Sequence, residues 1–211
     1  MEHEKAYCPQ SRHERGFTLI ELLVALTIMS IVSAAIYGMF ALYKKSYTTQ
    51  NVSADVQQSV RAAMELMAQD IRQAGLDPTN SNNFGIEEAT SARLHFTSDS
   101  IDAGIGDFNG VVDNANSESM TYEFQADRID QILYKGTAAE NTLPLIDHVE
   151  NLAFTYFDSD GADLGNPVPS ENLKDIRAIQ ISLTIEQPAG RGKPVSRTLT
   201  SRIKCRNLEF N

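Results

Sequence analysis

The chain has 211 residues, of which 42% are hydrophobic and 22% charged, enough apolar material for a buried core and too much for a disordered tail. Its formal net charge is -10, from 18 basic and 28 acidic residues, and the bases form no dense run, which disfavours a nucleic-acid-binding surface. Residues 77–163 hold 3 bases against 17 acids and residues 174–211 hold 8 bases against 3 acids, so an acidic middle can pair with a basic end segment inside one domain.

The first predicted element is a long helix. From Leu22 to Leu42 there are 21 consecutive uncharged residues. At 1.5 Å per residue such a run covers about 32 Å, the thickness of a bilayer core. Arg12 and Arg15 precede it and Lys44 with Lys45 follow it. Counting Lys5, the excess of basic residues favours a cytoplasmic N-terminus. A secretory signal peptide would end its apolar region at a small-residue cleavage site. Here the run continues into Val52, Val56, Val60, Ala63, Met67, Ile71 and Ala74, spaced by threes and fours, which is the stripe of an amphipathic helix. Proline is absent between Phe17 and Leu76, and Gly75 before Asp77-Pro78 reads as the stop. One helix from Phe17 to Ala74 would be about 87 Å long, its first half in a membrane and its second half packed on a soluble domain.

Glu21 is the exception in the apolar stretch. A lone acid at mid-membrane costs roughly 2.5–3.5 kcal/mol on insertion scales. Two readings follow. Glu21 can sit in the first helical turn near the headgroups, where the helix dipole favours an anion. Alternatively it pairs with a cation brought by another chain, where Coulomb attraction of about 4 kcal/mol at about 4 Å offsets the insertion cost.

The residues around it, Arg15-Gly16-Phe17-Thr18-Leu19-Ile20-Glu21-Leu22-Leu23-Val24, resemble position by position the prepilin processing site of type IV pilins and type II secretion pseudopilins. The resemblance implies that a membrane-embedded prepilin peptidase cuts after Gly16 and methylates the new amino group of Phe17. It implies also that Glu21 compensates the positive N-terminus of a neighbouring subunit during assembly. The four-residue spacing of Phe17 and Glu21 places both on one helical face. The domains that follow are a leader, residues 1–16, that is removed; a transmembrane and assembly helix, 17–43; its amphipathic continuation, 44–76; and a periplasmic β domain, 77–211. Loss of the leader removes three bases and three acids, leaving the charge at -10, and removes Cys8, so that Cys205 has no intrachain partner.

After the polar connection Asp77–Asn83 the hydrophobic period changes to two. Leu94 and Phe96 form one strand. Met120, Tyr122 and Phe124 form another, joined through Gln125-Ala126-Asp127-Arg128 to Ile129–Tyr134 in a hairpin. Leu152, Phe154 and Tyr156, then Ile179, Ile181, Leu183 and Ile185, and finally Val195, Leu199, Ile203 and Cys205 complete the set. The fold class is α+β, type IV pilin-like: a long N-terminal helix packed on an antiparallel sheet of about five or six strands. Within it, Arg61–Gly75 and Val149–Gly161 look like the corresponding segments of PilW-like minor pilins, and less closely like J-type pseudopilins of type II secretion.

Two acidic turns carry the remaining candidate chemistry. Asp158, Asp160 and Asp163 surround Gly161, and Asp107, Asn109 and Asp113 surround Gly110. Closely spaced oxygens of this kind suit Ca2+, and Asp and Gly are equally the ordinary turn formers between strands. Neither turn fits the EF-hand loop. His95, His148 and Cys205 are too few for a transition-metal set, no serine lies in Gly-x-Ser-x-Gly, and Gly104-Ile105-Gly106 lacks the third glycine of a dinucleotide loop. An enzyme is disfavoured.

The expected function is that of a structural assembly subunit, a PilW-like minor pilin that acts in initiation of a type IV pilus or near its tip. Its expected partners are prepilin peptidase, other pilins or pseudopilins and an inner-membrane assembly platform, with no nucleic acid bound directly. Glu21 argues against the tip pseudopilin of the K type, which usually lacks that acid. The alternatives are a J-type pseudopilin and, in another class, an uncut bitopic periplasmic protein binding calcium or a ligand.

Overall fold

The computed structural model describes residues 16–101, 108–113, 118–125, 133–136, 143–190 and 192–209. Helix α1 runs from Leu19 to Gln73, and the chain divides into two compact units, Met1–Ser46 and Tyr47–Asn211.

Within the first unit the helix from Leu22 to Leu42 is uncharged and exposed. Leu19, Ile20, Leu26, Met29, Ile31, Ile36, Met39, Phe40 and Leu42 are all exposed, and this helix is long and apolar enough to cross a membrane. Its hydroxyls turn inward on the backbone: Thr27 Oγ1 donates to the carbonyls of Leu23 at 3.1 Å and Val24 at 2.8 Å, and Ser30 Oγ to that of Thr27 at 2.8 Å. Polar side chains satisfied in this way add little cost to an apolar setting.

In the second unit α1 supplies one wall of the core. Val56, Val60, Ala63, Met67 and Ile71 are buried, as the stripe requires, with Ala74 just beyond the helix and Val52 partly covered; Met64 and Ala68 widen the stripe. The helix ends at Gly75, whose φ of 73° is the left-handed conformation that lets the chain turn away. The turn is anchored: Gly75 N donates to Thr97 O at 2.9 Å, and Asn207 Nδ2 donates to Arg72 O at 3.1 Å, capping one terminal carbonyl.

Among the described residues eight strands make two antiparallel sheets. β1 (Ile86–Ala89), β2 (Arg93–Thr97), β3 (Ser119–Phe124), β4 (Leu133–Gly136) and β5 (Leu143–Ile146) pair in sequence order; β6 (Val149–Phe157), β7 (Ala178–Gln187) and β8 (Val195–Lys204) form the other sheet. The single sheet expected is thus two, and β1 and β5 are strands that hydrophobic period does not mark. The expected hairpin pairs as β3 and β4, with Tyr122 opposite Lys135 and Phe124 opposite Leu133; Asp127 to Asp130 lie outside the described residues. Inward side chains of both sheets, Leu94, Phe96, Tyr122 and Leu133 from the first and Leu152, Phe154, Tyr156, Ile179, Ile181 and Leu183 from the second, join α1 in one hydrophobic cluster.

The β1–β2 turn links the sheets. Phe154 N donates to Ser91 O at 2.9 Å, the Tyr156 hydroxyl to Thr90 O at 2.7 Å, and Phe124 N to Ala92 O at 2.9 Å. A buried phenol therefore has its partner, as burial demands. On the outer face of the second sheet Arg202 lies 3.8 Å from the Phe157 ring centroid, and Arg197, Arg202 and Lys204 place three cations on the edge strand β8. Charge on an edge strand discourages uncontrolled pairing with other chains.

Candidate processing and assembly site

Gly16 and Phe17 precede α1, outside helix and strand, and Phe17 is 84% exposed. A Cβ added at Gly16 would meet nothing within 4 Å. Among the described residues nothing requires glycine there.

Thr18 and Glu21 form a reciprocal cap on α1. Glu21 N donates to Thr18 Oγ1 at 3.3 Å, while Thr18 N and Thr18 Oγ1 approach Glu21 Oε2 at 3.5 Å. This is the capping box of Ser/Thr at the N-cap with Glu at the third helical position, and it places a carboxylate at the positive end of the helix dipole. The Thr-x-x-Glu spacing was visible in the sequence and was not used for the helix start. Both contacts to the carboxylate are long for hydrogen bonds, so Thr18 holds Glu21 weakly.

The acidic turns behave as turns. Asp158 Oδ1 accepts the amides of Asp160 at 2.9 Å and Ala162 at 2.8 Å, and Asp163 Oδ1 accepts that of Gly165 at 2.8 Å. In the other, Asn109 Oδ1 accepts Val111 N at 2.8 Å and Asp113 N donates to Glu118 Oε2 at 2.6 Å, while Asp107 lies outside the described residues. Among the described residues no three His, Cys, Asp or Glu side chains are gathered as a preformed metal cage.

Cys205 is a buried free thiol whose pKa burial pushes up to about 12, against a smaller opposing pull from Arg177. A thiol held protonated in this way is not a nucleophile. His95 Nε2 lies 2.8 Å from Ser119 Oγ across the β2–β3 pair, and Ser119 is buried. Burial holds His95 below its usual pKa, with Glu87 opposing. Hydrophobic period places His95 on a strand beside Leu94 and Phe96 but does not reach Ser119, the first residue of β3.

A bare apolar helix carrying one acid at its head, followed by a unit with its own α+β core, defines a type IV pilin-like protein, and proteins of this class are structural subunits rather than enzymes. The prokaryotic N-terminal methylation motif matches residues 11–37, and the model of the prepilin peptidase-dependent protein B family matches residues 49–205. The chain belongs to that family. It is also similar to the pilin-like protein PilA3 of Thermus thermophilus, 34% identical over 70 residues. That stretch covers 33% of this chain and 30% of the curated relative's length.

Proposed function

We propose that this chain is a minor pilin, PilW-like in kind, that takes part in initiating a type IV pilus or in forming its tip. In this reading it is stored in the inner membrane with its N-terminus cytoplasmic and its folded unit periplasmic. Prepilin peptidase cuts after Gly16 and methylates Phe17, and an assembly platform passes the subunit to other pilins.

The observation that carries the reading is Glu21, the one charged residue between Phe17 and Tyr43, at the head of a helix whose apolar side chains from Leu19 to Leu42 are exposed. Lipid is as apolar as leucine, so exchanging lipid for neighbouring helices supplies packing but little direction. The new ammonium of a neighbouring Phe17 offers Glu21 a charged partner in place of the long contacts to Thr18, which fixes the axial position of one subunit on the next. That no described residue crowds Gly16 agrees with a demand set by the peptidase. The folded unit needs no neighbour to complete its core, which suits a subunit that waits in the membrane before assembly.

The test is recovery of the chain with filaments sheared from cells expressing wild type or Glu21→Ala. The reading expects cleavage of both and at least severalfold less of the variant in the filament fraction. Equal incorporation would refute the role of Glu21, and recovery with a secretion pseudopilus instead of a pilus would make the chain a J-type pseudopilin.

A further inference from the structure

The hairpin of β7 and β8 lies along the second half of α1 with its tip at Thr48, close to where the uncharged run ends. Three contacts fix its direction. A Cβ added at Gly190 would lie 3.8 Å from Thr48 Cγ2, Arg197 Nη2 donates to Ser53 Oγ at 3.4 Å, and Asn207 Nδ2 donates to Arg72 O at 3.1 Å. Positions 190, 197 and 207 therefore advance together with helix positions 48, 53 and 72. The last ladder pair toward the tip is Gln187 with Val195, and Gly190, at a φ of 62°, turns the chain beyond it. Gly192 N closes that turn on Ala189 O at 3.1 Å.

The level of Thr48 is that of a bilayer's headgroups. It lies six residues past Leu42, the last of the uncharged run, which is about 9 Å along a helix. The headgroup layer on each side of a bilayer is about 5–8 Å thick. Lys44 and Lys45, with Tyr43 at 65% and Tyr47 at 55% exposure, are the residue types that mark this layer. The tip held at Thr48 is basic. Gly190-Arg191-Gly192-Lys193-Pro194 carries two cations and no acid; Lys193 is exposed, and Arg191 lies outside the described residues. Acids stand behind the tip: Glu186 pairs in register with Ser196, whose hydroxyl donates to Glu150 Oε2 at 3.2 Å. In a chain of net charge -10, a segment with cations alone is not a consequence of composition.

We propose that the tip of the β7–β8 hairpin is a membrane contact, in which Lys193 meets the phosphates of anionic phospholipid headgroups. An anionic surface attracts a lysine within a Debye length and repels the acids that dominate the rest of the folded unit. The basic tip thereby selects which face of the unit turns to the bilayer while the subunit is stored. The proposal rests on the apolar half of α1 lying in a membrane, and not on the chain's being a minor pilin.

The experiment places the full chain in nanodiscs of phosphatidylcholine, with or without about 30% phosphatidylglycerol, and follows amide hydrogen exchange of residues 189–193 by mass spectrometry. The expected result is exchange at least about fivefold slower with the anionic lipid. Lys193→Glu abolishes the slowing and Lys193→Arg retains it. In wild type it is lost at about 1 M salt, where the screening length is about 3 Å. Lys174→Glu, at an exposed cation that precedes β7 at the opposite end of the sheet, leaves it unchanged. Equal exchange in the two lipids, in a chain that has inserted, would overturn the proposal and leave the membrane reading standing. Slowing that persists in Lys193→Glu would overturn it too, since the effect would then belong to other cations. A chain that does not enter nanodiscs would overturn both.

Discussion

Asp70 on α1 and Lys135 on β4 form an ion pair of 2.6 Å, and the same Asp70 oxygen accepts the buried Tyr122 hydroxyl of β3. One carboxylate therefore ties the helix to two neighbouring strands of the first sheet. The pair is partly buried, at 16% exposure for Asp70 and 27% for Lys135, so removing one partner strands polar groups with little water to replace it. Asp70→Ala should lower stability by about 2–3 kcal/mol in urea unfolding. A change below about 0.5 kcal/mol would mean that the pair contributes no more than an exposed one.

The two halves of α1 should respond differently to truncation. Met67 is fully buried in the cluster shared by both sheets, and Met67→Ala should cost about 2–4 kcal/mol. Met29→Ala, in the exposed half, should leave unfolding of the folded unit unchanged. Equal effects in urea unfolding of the two variants would contradict the division into a core-forming half and a bare one.

Stability should fall on mild acidification because of His95. Its pKa is lowered in the folded chain, so the unfolded chain takes up the proton first. The stabilising contribution of neutral His95 is complete above about pH 6.5 and is lost as pH falls from there through the folded-state pKa. His95→Gln should flatten the Tm profile between about pH 5 and 7 relative to wild type. An unchanged slope would assign it to other groups.

Cys205 should be inert to thiol reagents at pH 8 in the native protein and react fully on unfolding, since its pKa is pushed up to about 12 and it is buried. Rapid native labelling would show that the C-terminal end of the second sheet opens.

Much of this architecture could be read from residue spacing. Every stripe residue from Val56 to Ala74 is buried, because a helix face repeats at a fixed interval and needs no knowledge of its partner. Strands β2, β6 and β7 were legible for the matching reason, their apolar residues alternating along one face. The division into two sheets was not. β5 and β6 are separated by Asp147 and His148 alone, and His148 takes a φ of 58°, which nothing in its identity announces. β1 carries two glutamates in four residues, and β5 contains Pro144, tolerated because β5 is an edge strand.

The motif around the head of α1 stood in the sequence as a run of residue types rather than a period, and the structure adds to it the cap between Thr18 and Glu21. The measurement that tests the central claim most directly is the intact mass, with N-terminal sequencing, of this protein isolated from cells that contain prepilin peptidase. The account predicts a chain that begins at N-methylated Phe17. A chain that still carries Met1 to Gly16 in those cells would contradict it.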